Sequence, residues 1–158
     1  DSPLFQPQRF QTMGETDSER AFCVLLERMS TLWKHAGKLQ IPPLEQRLAE
    51  VAQFACELRG FGPANFLYSD GDTLFAHGHR RTHAVTKKIE APGLVLLNRH
   101  CRASQTSFST QGLSMEDDAL QKISLVASVP LTNEAWEPFE EGEIIALTNG
   151  SIMAKQAA

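Results

Sequence analysis

The apolar positions of this chain change period once, and the change divides it. They recur at Ala21, Phe22, Leu25, Leu26, Met29, Leu32 and Trp33, a spacing near 3.6 that predicts an amphipathic helix to about His35, stopped at Gly37. The start of that helix is written just upstream. Thr16-x-x-Glu19 has the form of a capping box, in which the Thr hydroxyl accepts from the Glu19 N–H and the glutamate reaches back. A second stripe, Leu44, Leu48, Val51, Ala52, Ala55 and Leu58, predicts another helix. Pro43 suits its first turn, and Gly60 and Gly62 end it. Residues 1–13 carry two prolines and no period, and read as an irregular lead-in.

Beyond Gly62 the pattern shortens to strands. Asn65–His77 holds Asp70-Gly71 between two apolar runs, a hairpin signal. Further strands are expected at Ala84–Ile89, Leu94–Asn98, Lys122–Val129 and Glu143–Asn149. The polar stretch 102–118 reads as a loop, and the pattern assigns no role to the tail from Ser151. Two helices followed by a mostly antiparallel sheet make an α+β chain. With no internal repeat and no linker, residues 1–158 read as a single domain.

Composition narrows the function classes. The chain is 42% hydrophobic and 22% charged with net charge −4, ordinary for a globular domain. That balance argues against general nucleic-acid or membrane-surface binding. The longest apolar runs, Leu94–Leu97 and Ile123–Leu131, are of strand length, so no membrane helix is expected. Cys23, Cys56 and Cys101 show neither metal-ligand spacing nor an even count, and a reducing, cytoplasmic setting is the expectation.

Few residues carry candidate chemistry. On a strand, His77, His79 and Arg81 would share one face, with Arg80 on the other and His83 close by. The favoured reading is a solvated strand end, with a metal or an anion site as alternatives. Cys23 and Cys56 read as buried, inert thiols. Cys101 is flanked by Arg99, His100 and Arg102, cations that would lower a thiol's pKa, but no base or Gly-rich turn accompanies it. Glu15 falls before the first helix, and Asp17 falls in its first turn, where the helix dipole favours an acid.

The order of these pieces resembles a known family. Gly14-Glu15-Thr16-Asp17-Ser18-Glu19 precedes Ala21-Phe22-Cys23. Asn65-Phe66-Leu67 comes next, with Ser69-Asp70-Gly71. Pro130-Leu131-Thr132 follows with Glu134 and Trp136, then Gly142-Glu143. Over residues 10–150 the chain resembles the C-terminal part of a class II glutamine amidotransferase of the short, stand-alone kind. The resemblance implies the N-terminal-nucleophile hydrolase fold, a four-layer αββα sandwich. It implies a cysteine at the mature N-terminus that attacks the glutamine side-chain amide, with its own α-amino group as base. It also implies an Asn-Gly pair after a histidine for the oxyanion and an arginine for the glutamine carboxylate. An aspartate of the motif that reads Thr16-Asp17-Ser18-Glu19 here holds the glutamine α-ammonium.

Of those groups only the last has a counterpart here, Asp17, with Thr16, Ser18 and Glu19 fixing the turn that aims it. Asp70 and Gly71 read as a hairpin turn, and Trp136 as core. The chain begins at Asp1 and contains no His-Asn-Gly, so the resemblance places the nucleophile in an upstream segment outside this chain and Cys101 is no substitute for it. Expected partners are glutamine or a γ-glutamyl compound, that N-terminal segment and a second copy of the chain, with no cofactor. The alternative is a non-catalytic regulatory or binding module that keeps the fold without the nucleophile half.

Overall fold

The structure is a computed structural model. It describes residues 2–37, 40–101, 107–110, 113–116 and 121–158, with the backbone alone over the described part of 100–121. The chain forms two compact units, Asp1–Gly62 with Ala158, and Pro63–Ala157.

The first unit is a helix pair with a lead-in. A 3-10 turn at Pro3–Phe5 packs on helix α1 (Asp17–Ala36), with Leu4 buried. Asp17 and Glu19 in the first turn of α1 and Lys34 and His35 in its last complement the helix dipole, and Gly37, at φ 92°, stops it. Its buried residues are Ala21, Cys23, Val24, Leu25 and Met29. Phe22, expected in the stripe, is exposed, because it sits about 100° around the helix from Ala21. Helix α2 (Leu44–Arg59) buries a wider arc than its stripe suggested, taking in Arg47 and Phe54. Cys56 faces outward, contrary to the buried thiol expected there. Pro43 stands at the cap rather than in the first turn. Arg28 joins the helices: its guanidinium donates to both oxygens of Glu57 (3.0 and 2.6 Å), lies 3.8 Å from Glu50 and sits over the Phe54 ring.

The second unit is all strand: β1 Phe66–Ser69, β2 Leu74–Gly78, β3 Arg81–Thr82, β4 Ile89–Glu90, β5 Val95–Cys101, β6 Ser107–Thr110, β7 Leu113–Glu116, β8 Gln121–Ala127, β9 Glu137–Pro138, β10 Glu143–Thr148 and β11 Ser151–Ala157. One sheet has the order β1-β2-β10-β11 and a second β8-β5-β9, with β3-β4 and β6-β7 as separate hairpins. Every pairing is antiparallel. Ala76, Ile145 and Leu147 from the first sheet pack with Leu94, Leu96 and Phe139 on the second to form one core. Phe75, His77, Ile144 and Ala146 point the other way from β2 and β10 and are buried as well. A sheet buried on both faces has no polar side to alternate with, which is why Ile144-Ile145-Ala146-Leu147 reads as an unbroken apolar run.

The hairpin expected at Asp70-Gly71 is present as a four-residue loop. Asp70 Oδ1 accepts from the N–H groups of Asp72 and Thr73 (3.1 and 2.9 Å), and Gly71 takes φ 93°. Three expectations about the strands fail. Residues 84–88 form the turn of the β3-β4 hairpin, with Lys87 at φ 57°, rather than a strand. The polar stretch 102–118 contains the β6-β7 hairpin, and its other residues lie outside those described. The tail is a full edge strand, β11, paired with β10. Asn149 and Gly150 join those two, at φ 51° and 67°, the positive pair a type I′ turn demands. Trp136, expected in the core, is half-buried with its indole N–H on the Thr132 hydroxyl (3.2 Å); Phe139 fills the core instead.

Two predictions follow from this packing. The Arg28 hydrogen bond holds the Glu57 carboxyl below its usual range. A depressed folded pKa adds stability that is complete above the unfolded value, about 4.3, and is lost as pH falls through the folded one. With Glu57 partly exposed, Glu57→Gln is expected to cost roughly 0.5–1 kcal/mol at pH 7 and less at pH 3. Urea melts of the two proteins at both pH values test this, and a pH-independent gap would assign the loss to some other contact. A Cβ at Gly150 would overlap the Lys122 carbonyl, so Gly150→Ala is expected to cost roughly 2–4 kcal/mol, while Asn149→Gly, which keeps the turn, stays within about 1 kcal/mol. Denaturant midpoints of the pair measure the difference.

Candidate functional site

The N-terminus of α1 is built by two side chains with different tasks. Thr16 is the N-cap at φ −77°, ψ 142°, and its Oγ1 accepts from the Glu19 N–H at 3.3 Å. This is the first half of the expected capping box. The second half goes elsewhere. Glu19 Oε1 accepts from the Met13 N–H (2.6 Å) and Oε2 from the Gly14 N–H (2.8 Å), rather than from Thr16. Two consecutive N–H groups presented together match the two oxygens of a carboxylate better than the single one at Thr16.

Asp17, between them, is exposed, with 78% of its side chain accessible. Among the described residues its one ion-pair neighbour is Arg20, one turn on, at a loose 4.0 Å. No hydrogen-bond donor among the described residues reaches its carboxylate. Glu15 and Ser18 are likewise exposed. Eight residues along, Glu27 repeats what Glu19 does: its Oε1 accepts from the N–H groups of Arg9 and Phe10. Desolvation pushes the Glu27 carboxyl up, and the backbone N–H groups of Arg9, Phe10 and Gln8 outweigh it, leaving it below the usual range. The Arg9 guanidinium donates to Ser30 Oγ at 3.1 Å.

The histidine cluster of the sheet unit is not the solvated strand end expected from sequence. His77 on β2 is fully buried and His79 is 8% exposed, with their rings stacked 6.5 Å apart. His79 Nδ1 accepts from the Ala64 N–H at 3.4 Å, which leaves the ring proton on Nε2, 3.6 Å from Glu141 Oε1. Asn65 clamps the same backbone. Its amide oxygen accepts from the His79 N–H and its amide nitrogen donates to the Arg80 carbonyl, each at 2.8 Å. Arg80 closes the group on Glu141 at 2.8 and 2.6 Å. Arg81 is half-buried on β3, and His83 Nε2 lies 3.0 Å from the Glu90 carbonyl oxygen.

Sequence reasoning named the histidines but neither Asn65 nor Glu141 as their neighbours. The β2-β10 register, which sets Glu143 opposite Gly78, is what brings Glu141 there, and no local pattern announces it. Among the described residues, no group of three or more His, Cys, Asp or Glu side chains is arranged to hold a metal ion. The cluster positions backbone: it fixes the chain on either side of His79.

Cys23 is buried, as expected. The side chains of His100, Cys101 and Arg102 lie outside the described residues. Arg99, one of the cations suggested for Cys101, gives its guanidinium to both oxygens of Glu134, with the Nε bond at 2.8 Å, and that contact holds Glu134 below the usual carboxylate range. No helix is long and apolar enough to cross a membrane among the described residues.

Comparison with known proteins bears on the whole of this arrangement. The family model for class II glutamine amidotransferases matches residues 3–158. The Escherichia coli protein “Putative glutamine amidotransferase YafJ” is 32% identical over 135 residues, 85% of this chain and 48% of its own length. An uncharacterized protein of Methanocaldococcus jannaschii is 28% identical over 148 residues, 91% of this chain and 38% of its own. The chain thus spans less than half the length of these curated relatives. The crystal structure of a predicted glutamine amidotransferase from Pseudomonas aeruginosa superposes with a TM-score of 0.70 at 28% identity, over 95% of this chain and 55% of that one. With the α+β order of helices and stacked antiparallel sheets, and a family match across nearly every residue, the chain belongs to the class II glutamine amidotransferases.

Proposed function

We propose that the chain is the ammonium-binding part of a class II glutamine amidotransferase or γ-glutamyl amidohydrolase, with its cysteine nucleophile outside residues 1–158. On this reading the thiolate of an N-terminal cysteine adds to the side-chain amide carbon of glutamine, and the tetrahedral adduct expels ammonia. Water then cleaves the thioester to glutamate. Asp17 takes the substrate's α-ammonium and so sets which amide reaches the nucleophile. Remote contacts of this kind fix the geometry of the reacting group.

The observation that carries the reading is the family match across residues 3–158, which includes Asp17 in its Thr16-Asp17-Ser18-Glu19 setting. The chemistry of the position supports it. Asp17 stands at the positive end of the α1 dipole, where an anion is favoured. Both of its oxygens are clear of hydrogen-bond donors among the described residues, whereas the carboxylates of Glu19 and Glu27 are each occupied by two backbone N–H groups.

Two measurements test the proposal. Residues 1–158 alone are expected to release no ammonia from glutamine, and release of it would place a nucleophile inside the chain. In the complete protein, Asp17→Asn keeps the shape and removes the charge. The ammonium then loses a charge-assisted hydrogen bond of about 1.5–3 kcal/mol, or roughly 10- to 100-fold in affinity. Thr16→Ala is expected to cost about 1 kcal/mol of stability through the cap, with a smaller effect on binding. Calorimetric titration with L-glutamine and with its analogue lacking the α-amino group reads the difference. Equal discrimination by wild type and Asp17→Asn would reduce Asp17 to a helix-terminus acid.

A further inference from the structure

Glu19, Cys23 and Glu27 stand at i, i+4 and i+8 on α1, one row along a single face. The row lies on the opposite side of the helix from Ala21 and Leu25, where a surface helix is ordinarily polar and wet. Cys23 is nonetheless buried. Glu27 holds the N–H groups of Arg9 and Phe10, and Glu19 holds those of Met13 and Gly14, so the lead-in is a strap tied to this row on either side of Cys23. The end tied by Glu19 is three residues from Asp17. Gly14 is part of the tie: a Cβ there would stand 2.7 Å from Glu19 Oε2, so a larger residue obliges the Glu19 carboxylate to shift.

We infer that Glu19 and Gly14 are positioning residues for Asp17: the Glu19 carboxylate draws the Met13-Gly14 backbone onto α1 and so fixes the turn, Glu15-Thr16, that presents the Asp17 carboxylate to its ligand. This rests on the ammonium-binding reading of Asp17 given above. A cap alone leaves the approach to the helix free to swing, because the Thr16 hydroxyl satisfies an N–H inside the helix and none before it. The Glu19 bonds act on the other side of the cap. Charge-assisted bonds to backbone N–H groups have the directionality to do it. Glu27 is the second post: it keeps the far end of the strap from pulling away.

The test uses the complete protein and the same two ligands, L-glutamine and its analogue without the α-amino group. Its readout is the ratio of the two affinities, which a general loss of stability does not change. Glu19→Ala removes the tie and is expected to lower the preference for glutamine about fivefold to tenfold, whereas Gly14→Ala only displaces the end of the Glu19 side chain and is expected to lower it less. Glu19→Gln keeps one accepting oxygen and is expected to fall between. Circular dichroism at the titration temperature confirms that each variant is folded, and should Glu19→Ala fail to fold, Glu19→Gln still decides the matter. If Asp17→Asn abolishes the preference while Glu19→Ala and Glu19→Gln retain it in full, the positioning role is wrong and the ammonium site stands. If Asp17→Asn itself leaves the preference intact, the ammonium site is wrong, and the strap is a structural feature only.

Discussion

Strands β2 and β10 have no solvent face, and the sheet unit is organised by that constraint. Ala76, Ile145 and Leu147 must meet an apolar surface on one side while Phe75, His77, Ile144 and Ala146 are withdrawn from water on the other. The second sheet supplies the first surface through Leu94, Leu96 and Phe139. Fully burying an aliphatic side chain of this size is worth about 1.5–3 kcal/mol, so a one-residue slip of β10 would exchange its two buried sets and disturb both. Register is therefore fixed tightly, and with it the placement of Glu141 beside His79 and Arg80 just before β10 begins. Of the two buried histidines, His79 is accommodated by the Ala64 N–H on its Nδ1 and by Glu141 beside its Nε2.

The helical unit works on a different economy. Its organising contacts are charges applied to fixed donors: Arg28 to Glu57 between helices, Glu19 and Glu27 to four backbone N–H groups along one. None is deep, and each alone is of modest strength. Their value is geometric. A carboxylate that accepts from two adjacent N–H groups fixes a segment that is otherwise held by the 3-10 turn at Pro3–Phe5 and by Arg9 on Ser30.

Much of this was legible in the sequence, and the failures have physical causes. The two helices were readable because period, cap and glycine stop agreed for α1, and Asp70-Gly71 announced its hairpin. The missing strand β11 was announced too, by Asn149-Gly150 after an apolar run, but Ser151–Ala157 is an edge strand whose adjacent Ile152 and Met153 break any alternation and whose other residues are small or polar. The β6-β7 hairpin was missed because Ser107, Ser109 and Thr110 make β6 look like loop and the four residues of β7 are too few to announce a strand. The reading of His77 and His79 as solvated failed because burial there is set by long-range pairing, which polarity along the chain does not encode. Arg47 and Phe54 fell outside the α2 stripe because that helix buries more of its circumference than one row of residues.

The family itself was legible because short motifs in a fixed order are visible without any fold. The proposed site was legible only to the level of Asp17, and the surroundings of that residue bear on why. A binding carboxylate has to be held without being used up. Any donor that fixes it directly also competes with the ligand for its oxygens, and a bond to a charged group is worth about 1.5–3 kcal/mol, the same as the ligand bond it would displace. Holding the backbone instead avoids that competition. Thr16 secures the first turn of the helix from within and Glu19 secures the approach from without, so Asp17 can be placed while its own carboxylate stays exposed, with only Arg20 at 4.0 Å among the described residues. A run of five consecutive capping and acidic residues, Glu15 to Glu19, is more than a helix start requires. The excess is intelligible if one acid serves the chain and another is kept for a ligand.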